Sequence, residues 1–264
     1  MPSTRRKPDP PEAVLRGFAE RLGLPVMGES SVKLVPGAAQ TDRYLLSVPA
    51  PDITAQQVAE LVHVATLLGL EPEMAERVAA DLPLSTTLHF GFEREGERGT
   101  LKLYCEFPIQ RGWDIARRAG HPMLVHRAVK WDPRDATRAA VSRYVANPAR
   151  NVADTGARIR DLLGPGAPAD LALGLFNRAA GRVPAQDRLF LEVEEEGSPR
   201  RSFDLKLYDA GFTTADLGPA MPGLIAYFGL EGFRVPAALL GHIAGGRGRD
   251  GNPFLTLYYG GGRA

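Results

Sequence analysis

Several short segments of the chain place a basic or hydroxyl residue two positions before a tyrosine. The pairs are Lys102 with Tyr104, Lys206 with Tyr208, and the variants Thr256 with Tyr258 and Ser142 with Tyr144. Side chains of a strand alternate between its two faces, so both members of each pair share a face. Converging lysines can neutralise a diphosphate. Stacked phenol rings can stabilise a carbocation by about 0.5–2 kcal/mol per ring and exclude water.

Groups that could accept a proton lie on the same polar faces. A reaction partner held beside such a cation would need a carboxylate or an imidazole to remove its proton. The candidates are Glu29, His89, Glu93, Glu106, His126 and Glu192. His242 is predicted to lie on the same side. The histidines lack the sequence spacing typical of metal ligands, so no metal site is predicted.

Ten strands are predicted to position these groups. Period-two patterns indicate strands over 29–35, 42–48, 85–94, 99–107, 122–131, 137–146, 187–195, 201–209, 238–244 and 253–259. Helical patterns cover 11–22, a segment capped by Thr54 that ends at Gly69, 71–81, 112–119, 153–163, 169–181 and a proline-interrupted stretch over 213–230. The chain therefore is predicted to consist of five hairpins joined by helices.

Repetition of this unit indicates how the strands assemble. Ten antiparallel strands can close into one barrel, which removes exposed edges, with the helices covering its apolar outer face. We therefore predict an α+β fold: a ten-stranded antiparallel β-barrel of repeated ααββ units with surrounding helices and a polar lumen. An open sheet with one face in water would show the same alternation. The repeated register of lysine and tyrosine favours the barrel.

Composition narrows the classes of function. The chain has 264 residues, 44% hydrophobic and 24% charged, with a net charge of +1. Such a balance gives no general attraction to nucleic acid, and no apolar run is long enough to span a bilayer. One cysteine excludes an intrachain disulfide. We predict a cytoplasmic protein with a disordered tail over 1–10 and one domain over 11–264, and no nucleic-acid or membrane partner.

The glycine-rich stretch over 245–251 is predicted to be a hairpin turn. It lacks the residue order of a phosphate-binding loop, and no helix follows it.

The paired lysine and tyrosine positions, the five-fold alternation of helix and hairpin, and the chain length together resemble the ABBA-type prenyltransferases. Within that superfamily the chain is most similar to the cyanobactin-type peptide prenyltransferases. The stretches that carry this likeness are 29–34 with 43–46, 88–107 and 252–259. The resemblance implies a barrel that encloses the active site. It also implies transfer of a dimethylallyl or geranyl group from its diphosphate to an electron-rich acceptor. The acceptor would be either a side chain of a ribosomal peptide, linear or cyclic, or a small aromatic molecule.

The same resemblance implies roles for individual residues. The diphosphate would be bound by Arg43, Lys102, Lys206 and Lys130, and the allyl cation would be shielded by Tyr104, Tyr144, Tyr208 and Tyr258. Glu29 and His89 would be the catalytic residues that face the acceptor. No cofactor is obligatory, although Mg²⁺ can accompany the diphosphate. Ser142 and Thr256 depart from the pattern, because each stands where a lysine would complete the motif. A barrel that only binds an anionic ligand or a peptide is the alternative.

Overall fold

The computed structural model describes residues 9–109 and 112–263. Most of the predicted tail, residues 1–8, lies outside these ranges. The described helices are α1 (Pro11–Arg21), α2 (Ala55–Leu67), α3 (Pro72–Asp81), α4 (Trp113–Ala119), α5 (Val152–Leu163), α6 (Ala167–Ala180) and α7 (Met221–Phe228). The strands are β1 (Met27–Val35), β2 (Ala38–Gln40), β3 (Arg43–Pro49), β4 (Thr87–Glu95), β5 (Arg98–Glu106), β6 (Met123–Asp132), β7 (Asp135–Ala146), β8 (Phe190–Glu195), β9 (Arg201–Lys206), β10 (Leu240–Arg247) and β11 (Pro253–Arg263).

Every neighbouring pair of strands is antiparallel, and the sheet closes on itself. The strand order is β11-β10-β9-β8-β7-β6-β5-β4-β3-β1-β2, with an additional pairing between β11 and β1. β2 pairs with the second half of β1 and β3 with its first half, so these two strands together fill one place in a ten-stranded barrel. The predicted barrel is confirmed, and the open-sheet alternative is wrong.

The two ends of the barrel differ in their connections. Tight hairpin turns join β4 to β5 and β8 to β9, where Gly96 and Gly197 adopt positive φ angles of 59° and 68° that other residues rarely tolerate. Helical segments connect the strands at the opposite end. At that end, Thr54 caps α2 as predicted, because its hydroxyl accepts a hydrogen bond from the Gln57 amide. We call the two ends the turn end and the helix end.

Apolar side chains cover the outside of the barrel, as the alternation predicted. Leu101, Leu103 and Cys105 of β5 are buried in a cluster with the first three helices. Phe203 and Leu205 of β9 are buried in a second cluster with α5, α6 and α7. The opposite faces of these strands are polar and point into the lumen. None of the described helices has the length and apolar character needed to cross a membrane.

Several predicted elements have different bounds in the structure. β10 continues to Arg247, so the first residues of the predicted 245–251 turn belong to the strand. β9 ends at Lys206 rather than 209, and the following residues Tyr208–Ala210 form a 3₁₀ turn. The stretch over 213–230 divides into the 3₁₀ segment Thr214–Ala220 and α7, because Pro219 lies inside the first and Pro222 begins the second. The 3₁₀ turn moves Tyr208 out of the strand register that the sequence predicted.

Trp131 joins the barrel wall to the helices that cover it. The ring is fully buried, and its Nε1 donates a hydrogen bond to the Leu68 carbonyl oxygen at 2.9 Å. Replacing Trp131 with alanine is expected to lower the free energy of unfolding by about 3–5 kcal/mol, as measured by denaturant titration. Leu67→Ala removes an apolar side chain that is 72% exposed and serves as the control. Equal losses in the two variants would contradict this account.

Candidate active site

The lumen holds a cavity of about 360 Å³ near the helix end of the barrel. A smaller void of about 30 Å³ lies beyond it toward the turn end. Five predicted site residues line both spaces or separate them: Arg43, Lys102, Tyr104, Tyr144 and Tyr258. We call the basic side chains around the small void the floor of the cavity, and the rim near the helix end its mouth.

Arg43 and Lys102 are buried in the floor and share one carboxylate. Nη1 of Arg43 and Nζ of Lys102 each lie 2.5 Å from Oε2 of Glu93. Arg43 also donates a hydrogen bond from Nε to Ser31 Oγ at 3.1 Å. Burial lowers the pKa of Lys102 to about 8 even though Glu93 opposes the shift. The two cations are therefore held in fixed positions by a single negative charge.

Three further cations line the small void beside this pair. Lys130 is 5% exposed, and its Nζ lies 5.8 Å from the centre of the Tyr144 ring. Burial, with Arg200 and Lys102 nearby, lowers the pKa of Lys130 well below its usual range. Lys33 and Arg200 line the same void. Glu93 and Asp204 also line this void, and Glu195 lies 4.0 Å from Arg200, so five basic side chains face three carboxylates. This excess of basic groups suits a multivalent anion.

Sequence reasoning did not assign Lys33 or Arg200 to this group. Lys33 lies on the same polar face of β1 as Glu29, and only Glu29 was predicted to have a role in the lumen. Arg200 precedes β9 but keeps the period-two register of Ser202 and Asp204, so its position was readable from the alternation.

Lys206 does not join the floor cations. It lies at the mouth, with a side chain that is 41% exposed and Nζ 3.9 Å from Oε1 of Glu106. It lines the main cavity but not the inner void. The structure therefore brings together three of the four predicted diphosphate ligands.

Three of the four predicted tyrosines form an aromatic layer above the cations. The rings of Tyr104 and Tyr144 meet edge to face with centres 5.7 Å apart. Tyr258 stacks on the ring of His242 at 3.8 Å. Burial raises the pKa of Tyr144 to about 12 and raises that of Tyr104 well above its usual range, so both phenols are neutral. Tyr208 lies apart at the mouth, 43% exposed.

A chain of hydrogen bonds holds Glu29 at the mouth of the cavity. Oε2 of Glu29 lies 3.0 Å from Nε2 of His242, and Oε1 accepts a hydrogen bond from the Tyr208 hydroxyl at 2.7 Å. Nδ1 of His242 lies 2.8 Å from Oδ1 of Asp204. A Cβ at Gly241 would lie 2.6 Å from Cε1 of Tyr208, so only glycine leaves room for this arrangement.

The imidazole of His242 lies between two carboxylates. Burial disfavours its charged form, but Asp204 and Glu29 outweigh that effect and raise the pKa of His242 to about 10. His242 is therefore an imidazolium at neutral pH and orients Glu29 by a charge-assisted hydrogen bond. The sequence placed His242 on a lumen face, but it did not reveal that this imidazole pairs with Asp204.

The raised pKa of His242 predicts how stability changes with pH. A folded-state pKa near 10 against an ordinary value near 6.5 makes the contribution of His242 complete below about pH 6.5 and lost as the pH rises through 10. The difference in free energy of unfolding between the wild-type protein and His242→Gln should therefore narrow from pH 6.5 to 10, as measured by urea denaturation. A constant difference over this range would contradict the assignment.

His89, Glu106 and His126 form a second group at the mouth. Nδ1 of His89 lies 2.7 Å from Ser47 Oγ, and its Nε2 lies 3.3 Å from Oε2 of Glu106. Burial lowers the pKa of His126 to about 4, so its ring is neutral. Despite burial, His89 and His126 lower the pKa of Glu106, which is therefore ionised.

Glu192 was predicted as a lumen carboxylate, and this prediction is wrong. Its carboxylate bonds Arg158 of α5, with Oε2 2.7 Å from Nη2, on the outside of the barrel. Leu191 and Val193 occupy the lumen face of β8 instead. The acidic run that ends β8 obscured which face was apolar.

Solved structures with the same architecture are prenyltransferases. One is the 5-dimethylallyltryptophan synthase from Streptomyces coelicolor, at 16% identity and a TM-score of 0.53, with 89% of this chain and 81% of that one covered. Another is the prenyltransferase PriB in complex with product diphosphate. It is 15% identical, with a TM-score of 0.55, and 89% of this chain and 79% of that one are covered. A third is a 6-dimethylallyl tryptophan synthase, at 14% identity and a TM-score of 0.55, with 95% of this chain and 94% of that one covered.

The chain has the ABBA prenyltransferase fold. No protein-family model matches the sequence, and no curated protein matches it either. At identities this low the solved structures establish the ABBA fold only, and the activity has to be argued from the lumen residues. The finer likeness to the cyanobactin-type enzymes stays a prediction.

Proposed function

We propose that this ABBA barrel transfers a prenyl group from an allylic diphosphate to an electron-rich acceptor. One observation carries the proposal: the cavity inside the barrel has buried basic side chains in its floor, a tyrosine layer above them and an oriented carboxylate at its mouth. Each layer suits one requirement of the reaction, namely diphosphate binding, shielding of the allyl cation and removal of the acceptor proton.

The floor cations would bind the diphosphate and assist its departure. Arg43, Lys102 and Lys130 donate charge-assisted hydrogen bonds to its oxygens, with Lys33 and Arg200 adding positive charge. The C–O bond breaks, and both of its electrons leave with the diphosphate. Because protein cations neutralise the developing charge, the proposed step requires no metal. Mg²⁺ would act only as an additional counter-ion of the diphosphate.

The tyrosine layer would stabilise the resulting allyl cation. Tyr104, Tyr144 and Tyr258 present ring faces and edges in a space with little room for water. Neutral phenols cannot capture the cation as readily as phenolates would, and burial keeps Tyr104 and Tyr144 neutral.

Glu29 would complete the transfer at the mouth of the cavity. The π-electrons of the acceptor attack the allyl cation and form a new bond, and the proton that leaves the acceptor passes to the Glu29 carboxylate. His242 and Tyr208 fix the orientation of that carboxylate. His89, at the same mouth, is the second proposed catalytic residue.

The class of acceptor and the chain length of the prenyl group can be proposed in more detail. We propose an aromatic acceptor, because one neighbour was solved with L-tryptophan and dimethylallyl thiolodiphosphate together. The likeness to cyanobactin-type enzymes supports a peptide side chain over a free small molecule. Dimethylallyl and geranyl diphosphate are both proposed as donors.

Incubation with each donor and a panel of acceptors tests the proposal. The panel includes L-tryptophan and linear and cyclic peptides that contain tryptophan or tyrosine. We expect release of diphosphate together with a prenylated acceptor detected by mass spectrometry. Tight binding of the donor without either product would instead support a barrel that only binds an anionic ligand.

A further inference from the structure

Two histidines and a glutamate from neighbouring strands converge at the mouth of the barrel. They are His89 of β4, Glu106 of β5 and His126 of β6. One potential ligand atom of each lies within 4.8 Å of the others. We propose that these three residues bind a divalent transition-metal ion of the Zn²⁺ class. The proposal goes beyond prenyl transfer and does not depend on it.

Strand register explains why the three side chains meet. Glu106 pairs directly with His126, and Tyr104, two residues before Glu106, pairs directly with His89. All three side chains therefore point into the lumen within one layer of the barrel. Ligands on paired strands are held more rigidly than ligands on loops, which reduces the entropy lost when a metal binds.

Hydrogen bonding in the cluster leaves nitrogen lone pairs available. Nδ1 of His126 and Nε2 of His89 are buried, and no residue in the described ranges forms a hydrogen bond with either. Nε2 of His89 lies 3.3 Å from Oε2 of Glu106, so the two potential ligand atoms already face each other. Buried polar atoms without partners are costly, so a ligand for them is expected.

Ser47 supplies the outer contact that such a site requires. Its Oγ lies 2.7 Å from Nδ1 of His89, which fixes the ring and directs Nε2 toward Glu106. Histidines that bind metals usually engage their second nitrogen in this way. Ser47 is therefore a positioning residue for the proposed site.

The donor set indicates the class of metal. Two imidazoles and one carboxylate suit Zn²⁺, Co²⁺ or Ni²⁺ better than Mg²⁺ or Ca²⁺, which prefer oxygen ligands. Three protein ligands leave at least one coordination position open toward the cavity. Lys206 lies 3.9 Å from Glu106 and opposes a cation there, but its side chain is 41% exposed and can turn to solvent.

A bound metal would change the role of His89. With Nε2 on the metal, His89 cannot act as a free base, and Glu29 would be the remaining proton acceptor at the mouth. The open coordination position would face an acceptor entering from the helix end and could bind its carboxylate or amine.

Zn²⁺ titration of the full chain, free of any polyhistidine tag, tests the site by calorimetry. We expect one Zn²⁺ per chain and visible absorption bands of low-symmetry coordination when Co²⁺ replaces it. His126→Gln and Glu106→Gln should each weaken binding more than about 100-fold, and Ser47→Ala by about tenfold. His63→Gln and His121→Gln, which alter exposed histidines, serve as matched controls and should bind Zn²⁺ like the wild-type chain.

Two results would overturn the metal site: no saturable Zn²⁺ binding, or unchanged affinity in the His126→Gln and Glu106→Gln variants. Thermal melts of each variant without metal verify that it is folded. Because the titration uses neither donor nor acceptor, its outcome is independent of the prenyl transfer assay.

Discussion

Replacing Lys102 with glutamine is expected to reduce the rate of prenyl transfer by about 100-fold, as measured by diphosphate release under saturating acceptor. The side chain is only 9% exposed in the floor of the cavity, so water cannot solvate the diphosphate in its place. The variant keeps a polar side chain, which is one atom shorter, but loses the positive charge that would face the diphosphate oxygens. Arg43 keeps its contact with Glu93, so the fold should be preserved.

Arg98→Gln is the matched control for this variant. It removes one positive charge from the same strand, but the Arg98 side chain is exposed at the hairpin turn. Its rate should equal that of the wild-type protein. If Lys102→Gln retains full activity while folded, the diphosphate does not bind at the floor.

The lowered pKa of Lys102 predicts that the affinity for diphosphate depends on pH. A lysine with a pKa of about 8 is charged below that pH and neutral above it. Affinity for inorganic diphosphate should therefore fall as the pH rises through about 8. Lys102→Arg remains charged throughout and should remove this decrease, as measured by calorimetry at several pH values.

Glu29→Gln is expected to separate the two halves of the proposed reaction. Removing the proton acceptor should lower the yield of prenylated acceptor by about 100-fold. Slow donor hydrolysis without acceptor should change by less than about twofold, because the floor cations are untouched. Product formation is followed by mass spectrometry and hydrolysis by diphosphate release.

Two further variants provide comparisons for Glu29→Gln, one as a control and one with an intermediate effect. Glu20→Gln changes an exposed glutamate of α1 and should leave both rates unchanged. Tyr208→Phe removes one hydrogen bond to Glu29 and should give an intermediate loss of transfer. Equal loss of transfer and hydrolysis in Glu29→Gln would show that this residue supports donor binding instead.

Period-two alternation was sufficient to predict the barrel and its polar lumen. It identified the lumen faces of β5 and β11, because apolar and polar residues alternate through the middle of each strand. It did not predict depth along the barrel axis. Lys102 and Lys206 occupy equivalent places in their motifs, yet one lies in the floor and the other at the mouth.

The depth of a side chain along the barrel axis depends on the alignment of many strands with one another. The sequence of a single strand does not encode that alignment. An extra residue in β10, Gly241, shifts its pairing with β11 and helps place His242 beside Glu29. The pairing of Glu106 with His126, which brings two predicted lumen residues side by side, likewise follows from tertiary structure. Sequence reasoning found these side chains singly and could not assemble them.

Closure of the barrel by β1 and β11 has a consequence for synthesis of the protein. These strands come from opposite ends of the chain, so their pairing is among the most non-local contacts in the molecule. While the ribosome still holds β11, both β1 and β10 present unpaired edges that invite aggregation. Glu29 and Tyr258 lie on β1 and β11, so the lining of the cavity cannot be complete before β11 has left the ribosome.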